Sequence, residues 1–150
     1  MKKLKLIVIL AGVFMVNVAS MCSSDSSDDN SSSSTTTTQV TNTVTNGTWS
    51  VTSYSESGTN HTSSFSGYAF TFASNGDMSA VNGSTTQTGN WNTHSDSGRT
   101  KMDLIFSASD GPFESISEDW DVLSNTSSKI QLKHTSGGDG SIDYLTFEKI

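Results

Sequence analysis

The sequence predicts an all-β domain, an up-and-down antiparallel barrel of eight strands with one short helix, preceded by a signal peptide and a flexible tether. Three observations lead there. From Gly47 onward apolar residues recur with a period near two, as in half-buried strands, and a helical period is scarce. Clusters of Gly, Asn, Asp and Ser divide that region into eight short runs with short connections, and consecutive strands usually pair. Before Gly47 the composition changes twice, first to an apolar run and then to a tract nearly free of apolar residues.

Three lysines, Lys2, Lys3 and Lys5, precede an apolar run from Leu6 to Val16, the layout of a secretory signal. The run is short for the roughly 30 Å of a bilayer core, and Ser, Asp and Asn follow it instead of a basic flank. Residues 1–21 hold 15 of the 48 apolar residues and no acid, so their removal leaves 33 apolar residues in 129 and takes the formal charge from −7 to −10. An acidic chain of that length permits one small domain and argues against a nucleic-acid partner, whose phosphates require a basic face. Residues 23–46 contain eight Ser and seven Thr, with Val40 and Val44 the only apolar positions. Such a tract cannot repay its ordering entropy, so 22–46 is expected to be a flexible tether, with a coil reach of about 25–30 Å, and 47–150 the folded domain.

The strands follow in order. Gly47 to Tyr54 sets Trp49 and Val51 on one face; Tyr68 to Ala73 does the same with Tyr68, Phe70 and Phe72. Asn75-Gly76 is a two-residue hairpin signal with positive φ tolerated at both positions, and Asp77 to Asn82 alternates through Met78 and Ala80 to a second signal at Asn82-Gly83. Thr85 to Asn92 carries Gly89 and Trp91; a polar loop through Asp96 and Gly98 leads to Lys101 to Ser107 with Met102, Leu104 and Phe106. Asp110 to Ile116, with Pro112 in its first turn, predicts a one- or two-turn helix whose Phe113 and Ile116 plug one end of the barrel. Trp120 to Ser124, Lys129 to His134 and Ile142 to Lys149 complete a meander that closure would free of edges.

Cys22 is the only cysteine and stands at the end of the signal, where the chain resembles bacterial lipoproteins, although Ala19 and Met21 depart from their preferred Leu and small residue. The resemblance implies lipidation of Cys22, with acyl chains such as palmitate anchoring the protein in a membrane. Ser27-Asp28-Asp29 resembles the acidic export signal of Bacteroidetes-type lipoproteins, which implies an outer-membrane protein facing the cell exterior. Gly47-Thr48-Trp49, the aromatic second strand, Gly89-Asn90-Trp91 and the final Leu145-Thr146-Phe147 together look like the small lipocalin-like domains of Bacteroidetes envelope lipoproteins. In lipocalins the matching Trp, here Trp49, packs across the closed end of the barrel, and Gly47, Trp49 and Gly89 take structural roles by that likeness.

A barrel of eight strands either fills with side chains or holds one small ligand. A small hydrophobic molecule would lie against Tyr68, Phe70, Trp91 and Trp120; with the barrel solid, contact would pass through loops and an outer apolar patch near Tyr54, Phe65 and Tyr144, to a protein or glycan. His61, His94 and His134 lack metal-ligand spacing, so no metal site is expected. The acids from Asp110 to Asp121 read as helix-start and surface residues, and Gly137 to Asp143 as a glycine-rich hairpin loop. No nucleophile elbow, P-loop or His-Glu-x-x-His motif is present. The expectation is a monomeric, non-catalytic protein without a cofactor.

Overall fold

The computed structural model describes residues 35–150; the expected signal, Cys22, Ser27-Asp28-Asp29 and the first part of the expected tether lie outside them. Eight antiparallel strands form a closed barrel: β1 (Thr48–Glu56), β3 (Ala69–Phe72), β4 (Asp77–Asn82), β5 (Thr85–Asp96), β6 (Arg99–Phe106), β7 (Asp119–Asn125), β8 (Lys129–Thr135) and β9 (Ile142–Lys149). Each pairs with the next, and β9 returns to β1 with Val51 opposite Phe147 and Tyr54 opposite Leu145. The two-residue strand β2 (Thr59–Asn60) extends β1 alone. Short connections and sequential pairing thus produce the expected meander, and closure leaves no long unpaired edge.

Each end of the barrel has its own plug. Residues 37–44, expected within the tether, form a helix α1 (Thr37–Val44). Thr36 and Gln39 close a reciprocal capping box at its start, and Val40 and Val44, one turn apart, are fully buried. The folded domain therefore begins about twelve residues before Gly47, because two buried valines and a cap offset the poor helix propensity of the threonines around them. At the other end sit α2 (Gly111–Ser115) and a 3-10 turn at Thr62–Phe65. Phe113, Ile116 and Phe65 are buried there. The plug by Phe113 and Ile116 follows the sequence expectation; the contribution of Phe65 does not.

The hairpins differ in detail from the sequence reading. Between β3 and β4 only Gly76 has positive φ (91°), and Gly76 N–H donates to Ala73 O at 3.0 Å. Ser74-Asn75-Gly76 is thus a three-residue loop rather than a two-residue turn. β5 runs on to Asp96 and β6 starts at Arg99, turning tightly through Ser97 and Gly98 where a polar loop was expected. The inner face near this end is polar because α1 meets it with hydroxyls: Thr41 Oγ1 lies 2.8 Å from Thr93 Oγ1, and Thr100 Oγ1 donates to Thr35 O.

The apolar side chains assigned to inner faces from the first five strands are buried except Tyr68, which, like Val122, is half-buried against them. Gly89 stands opposite Phe106 and Met78. A Cβ there would run into Ile105 O and Phe106 Cα, both backbone atoms that would have to shift. Gly89→Ala should accordingly cost about 1–3 kcal/mol by overpacking. Chemical denaturation checks this, and an unchanged midpoint would refute the close approach. Gly47 has φ 115° and lies under the Lys149 side chain, whose Nζ sits 5.9 Å from the Trp49 ring.

Candidate functional site

The four residues put forward as ligand liners come from different parts of the wall. Tyr68, just before β3, and Phe70, on its inner face, both meet Phe113, at 5.0 and 6.1 Å between ring centroids. Phe70 also touches Phe65, Phe106 and Phe147, at 6.2, 6.2 and 5.2 Å. Trp91 on β5 packs edge-on against Phe72 at 5.6 Å, and Trp120 on β7 against His134 at 5.9 Å. No ring contact among the described residues joins either tryptophan to Tyr68 or Phe70. Exposure is 1% for Phe70, 6% for Trp91 and 0% for Trp120, so each of these rings is committed to its own neighbours in the core.

Their polar atoms are committed as well. Trp49 Nε1–H donates to Val44 O at 2.9 Å and Trp120 Nε1–H to Ile116 O at 3.0 Å. Both carbonyls end a plug helix, where intrahelical donors run out, so each indole satisfies an orphan acceptor and fastens a plug. Trp91 Nε1–H donates to Ala73 O at 2.9 Å.

Tyr54 and Phe65, expected in an outer patch, are core residues with 1% exposure each. Tyr54 points inward because a bulge between Val51 and Ser53 shifts the alternation of β1. Its hydroxyl donates to Ser115 O at 3.2 Å. Burial, with Glu56 and Asp143 nearby, pushes the phenol far above its usual pKa. Tyr144 remains outside, 45% exposed.

Charged groups pair across the outer wall of β6 and β7. Lys101 Nζ lies 3.0 Å from Asp119 Oδ2 and 3.2 Å from Asp121 Oδ1, and Arg99 Nη1 lies 3.1 Å from Asp121 Oδ2. Burial alone would raise the Asp121 carboxyl, but bonds and charge from Lys101 and Arg99 outweigh it and hold the pKa below the usual range. Burial would likewise lower Lys101, and Asp119 and Asp121 outweigh it in the opposite sense. A lowered acid stabilises above its unfolded pKa of about 3.9 and is lost as pH falls through the folded value; a raised lysine stabilises below about 10.4 and is lost as pH rises through its folded value. The contribution of this pairing should therefore be level between those limits, and Asp121→Asn should flatten the acid limb of a pH–melting curve. An acid limb unaltered by Asp121→Asn would count against this pairing.

His134 comes within 3.4 Å of Asp119 through Nδ1 and 3.8 Å of Glu118 through Nε2. These three side chains are the described residues grouped closely enough to hold a metal ion. The nearest carboxylates approach opposite edges of the ring, and Asp119 is already paired with Lys101, an arrangement suited to an ion-pair network.

The outer wall also carries a hollow of about 440 Å³ over β3, β4 and β5. Strand pairing places Thr71, Ser79 and Thr88 in one row across it, and Asp77 and Asn90 in the next, with Ser107 at the rim. Ala73, Met78 and Gly89 contribute the apolar part of its lining. A smaller hollow of about 220 Å³ opens where α1 meets the Ser74-Asn75-Gly76 loop, beside Thr41, Trp91 and Thr93. Sequence reasoning found neither, because the residues of each are adjacent only through strand register or through α1.

No protein-family description matches the chain, and no curated protein matches it in sequence. Among solved structures it is similar to a DUF4847 family protein from Bacteroides vulgatus ATCC 8482, with a TM-score of 0.50 and 15% identity over 73% of this chain and 96% of that one. At that identity the likeness concerns the barrel fold alone.

Proposed function

We propose that the chain is a lipid-anchored outer-membrane protein, held through Cys22 and facing the cell exterior, whose monomeric barrel is a solid, non-catalytic interaction module working through its outer surface. The observation carrying this reading is that the chain's own segments plug both mouths, α1 at one end and α2 with Phe65 at the other. A ligand inside the barrel needs an open mouth, whereas here both mouths are plugged and the three indole N–H groups are bound to backbone carbonyls, which fixes the rings in place. The small-hydrophobic-ligand reading rests on the aromatic content of the wall, and Phe70, Trp91 and Trp120 are already buried against other core side chains.

A native mass spectrum of the full protein, purified gently from its own host, tests both parts. The expected result is a mass increment from acyl groups that survives denaturation, vanishes in Cys22→Ala together with membrane retention, and comes with no other bound molecule. A small apolar molecule released on denaturation would overturn the solid interior. Membrane retention unchanged in Cys22→Ala would overturn the anchor.

A further inference from the structure

We infer that the outer-wall hollow over β3, β4 and β5 is a subsite for a neutral glycan. This rests on the surface-module reading and names the partner class of that surface. Its volume, about 440 Å³, falls within the about 300–1,000 Å³ of small-molecule sites. The polar lining consists of hydroxyls and one amide, Asn90, around one carboxylate, Asp77.

The donors and acceptors are arranged for a polyol. Thr71 stands opposite Ser79, and Ser79 opposite Thr88, so three hydroxyls cross the sheet at the strand spacing of about 4.8 Å. No described residue engages those hydroxyls, and each can donate and accept. In the adjoining row Asp77 is held from two sides: Asn75 Nδ2 donates to its Oδ2 at 2.7 Å and Asn90 Nδ2 to its Oδ1 at 3.2 Å. Its backbone N–H donates to Asn75 Oδ1 at 3.0 Å. A carboxylate fixed this way keeps lone pairs for ligand hydroxyls and loses little rotamer freedom on binding.

Other ligand classes fit less well. No Lys, Arg or His lines the hollow, so an anionic ligand would meet only the Asp77 charge. A metal ion would find one carboxylate. An extended peptide would need a free sheet edge, and closure of the barrel by β1 and β9 removes it. An apolar ligand would leave the hydroxyls unpaired. A neutral saccharide can satisfy the hydroxyl row and the carboxylate together, with the less polar face of a ring against Ala73 and Gly89.

The test uses the full chain in mild detergent, on immobilised neutral hexose and N-acetylhexosamine oligosaccharides with sialylated and sulfated ones alongside. Thr88→Val removes one hydroxyl with little change of shape in a strand, and Asp77→Asn removes the charge. The expected result is capture on neutral glycans, weakened about tenfold or more by either change. Thr146→Val, on the outer face of β9, should leave it intact. Circular dichroism shows whether each variant is folded, and Thr88→Val decides if Asp77→Asn unfolds. Capture insensitive to Thr88→Val would place any glycan site elsewhere and overturn the assignment. Capture of only sialylated or sulfated glycans would overturn the neutral class, and no capture at millimolar glycan would overturn the inference entirely. The surface-module reading is judged separately, by the mass spectrum described above.

Discussion

A chain that begins at Gly47 will melt about 10–20 °C below one that begins at Thr35, because removal of α1 unplugs one end of the barrel. Val40 and Val44 are both 0% exposed, and each would forfeit about 1.5–3 kcal/mol of burial. Together that is about 3–6 kcal/mol from a domain whose whole stability lies on the order of 5–15 kcal/mol. The loss also reaches the barrel itself. Without α1 the Trp49 indole N–H loses Val44 O, and a ring now fully buried faces water. Val44→Asp in the longer chain isolates the contact from the length of the segment, since it sets an unpaired charge against the core. Calorimetry on the three chains decides the matter. Equal melting temperatures for the chains starting at Thr35 and Gly47 would show that the helix adds nothing.

What was legible in the sequence, and what was not, follows from how far each signal extends along the chain. The eight strands could be read because Trp49 and Val51, or Met102, Leu104 and Phe106, declare an inner face within a few residues. The Phe113 plug could be read from Pro112 and the acids near it. Helix α1 was hidden by composition: a Ser/Thr-rich tract averages to disorder, although Thr36-x-x-Gln39 followed by Val40 and Val44 is a capping box with an i, i+4 apolar pair. Tyr54 was misplaced because a bulge is invisible to strict alternation. The hollow lies furthest from local signals. Thr71, Ser79 and Thr88 are unremarkable in a chain rich in hydroxyls, and only the register of three strands makes them a row.

Phe113→Ala should cost about 3–5 kcal/mol and, in the same step, open an apolar cavity at the α2 end of the barrel. The Phe113 ring is the meeting point of the α2 end, with Phe106 at 4.9 Å, Tyr68 at 5.0 Å, Phe65 at 5.4 Å and Phe70 at 6.1 Å between centroids. It is 4% exposed, held by a short helix whose last carbonyls are bound by Trp120 Nε1 and the Ser117 hydroxyl. Truncation removes one ring from contact with four others that are fixed on β6, on the 3-10 turn and at the start of β3, so the site can collapse only in part. A cavity lined by such rings stays dry and accepts a small apolar molecule, as engineered apolar cavities of about 150 Å³ do. Xenon or benzene should therefore bind to Phe113→Ala and raise its melting temperature, with no effect on the unaltered protein. The comparison bears directly on function. If the unaltered protein took up the same probes equally well, its interior would already be open. Tyr68 and Phe70 would then regain their role as ligand liners, and the barrel would work from within rather than through its wall.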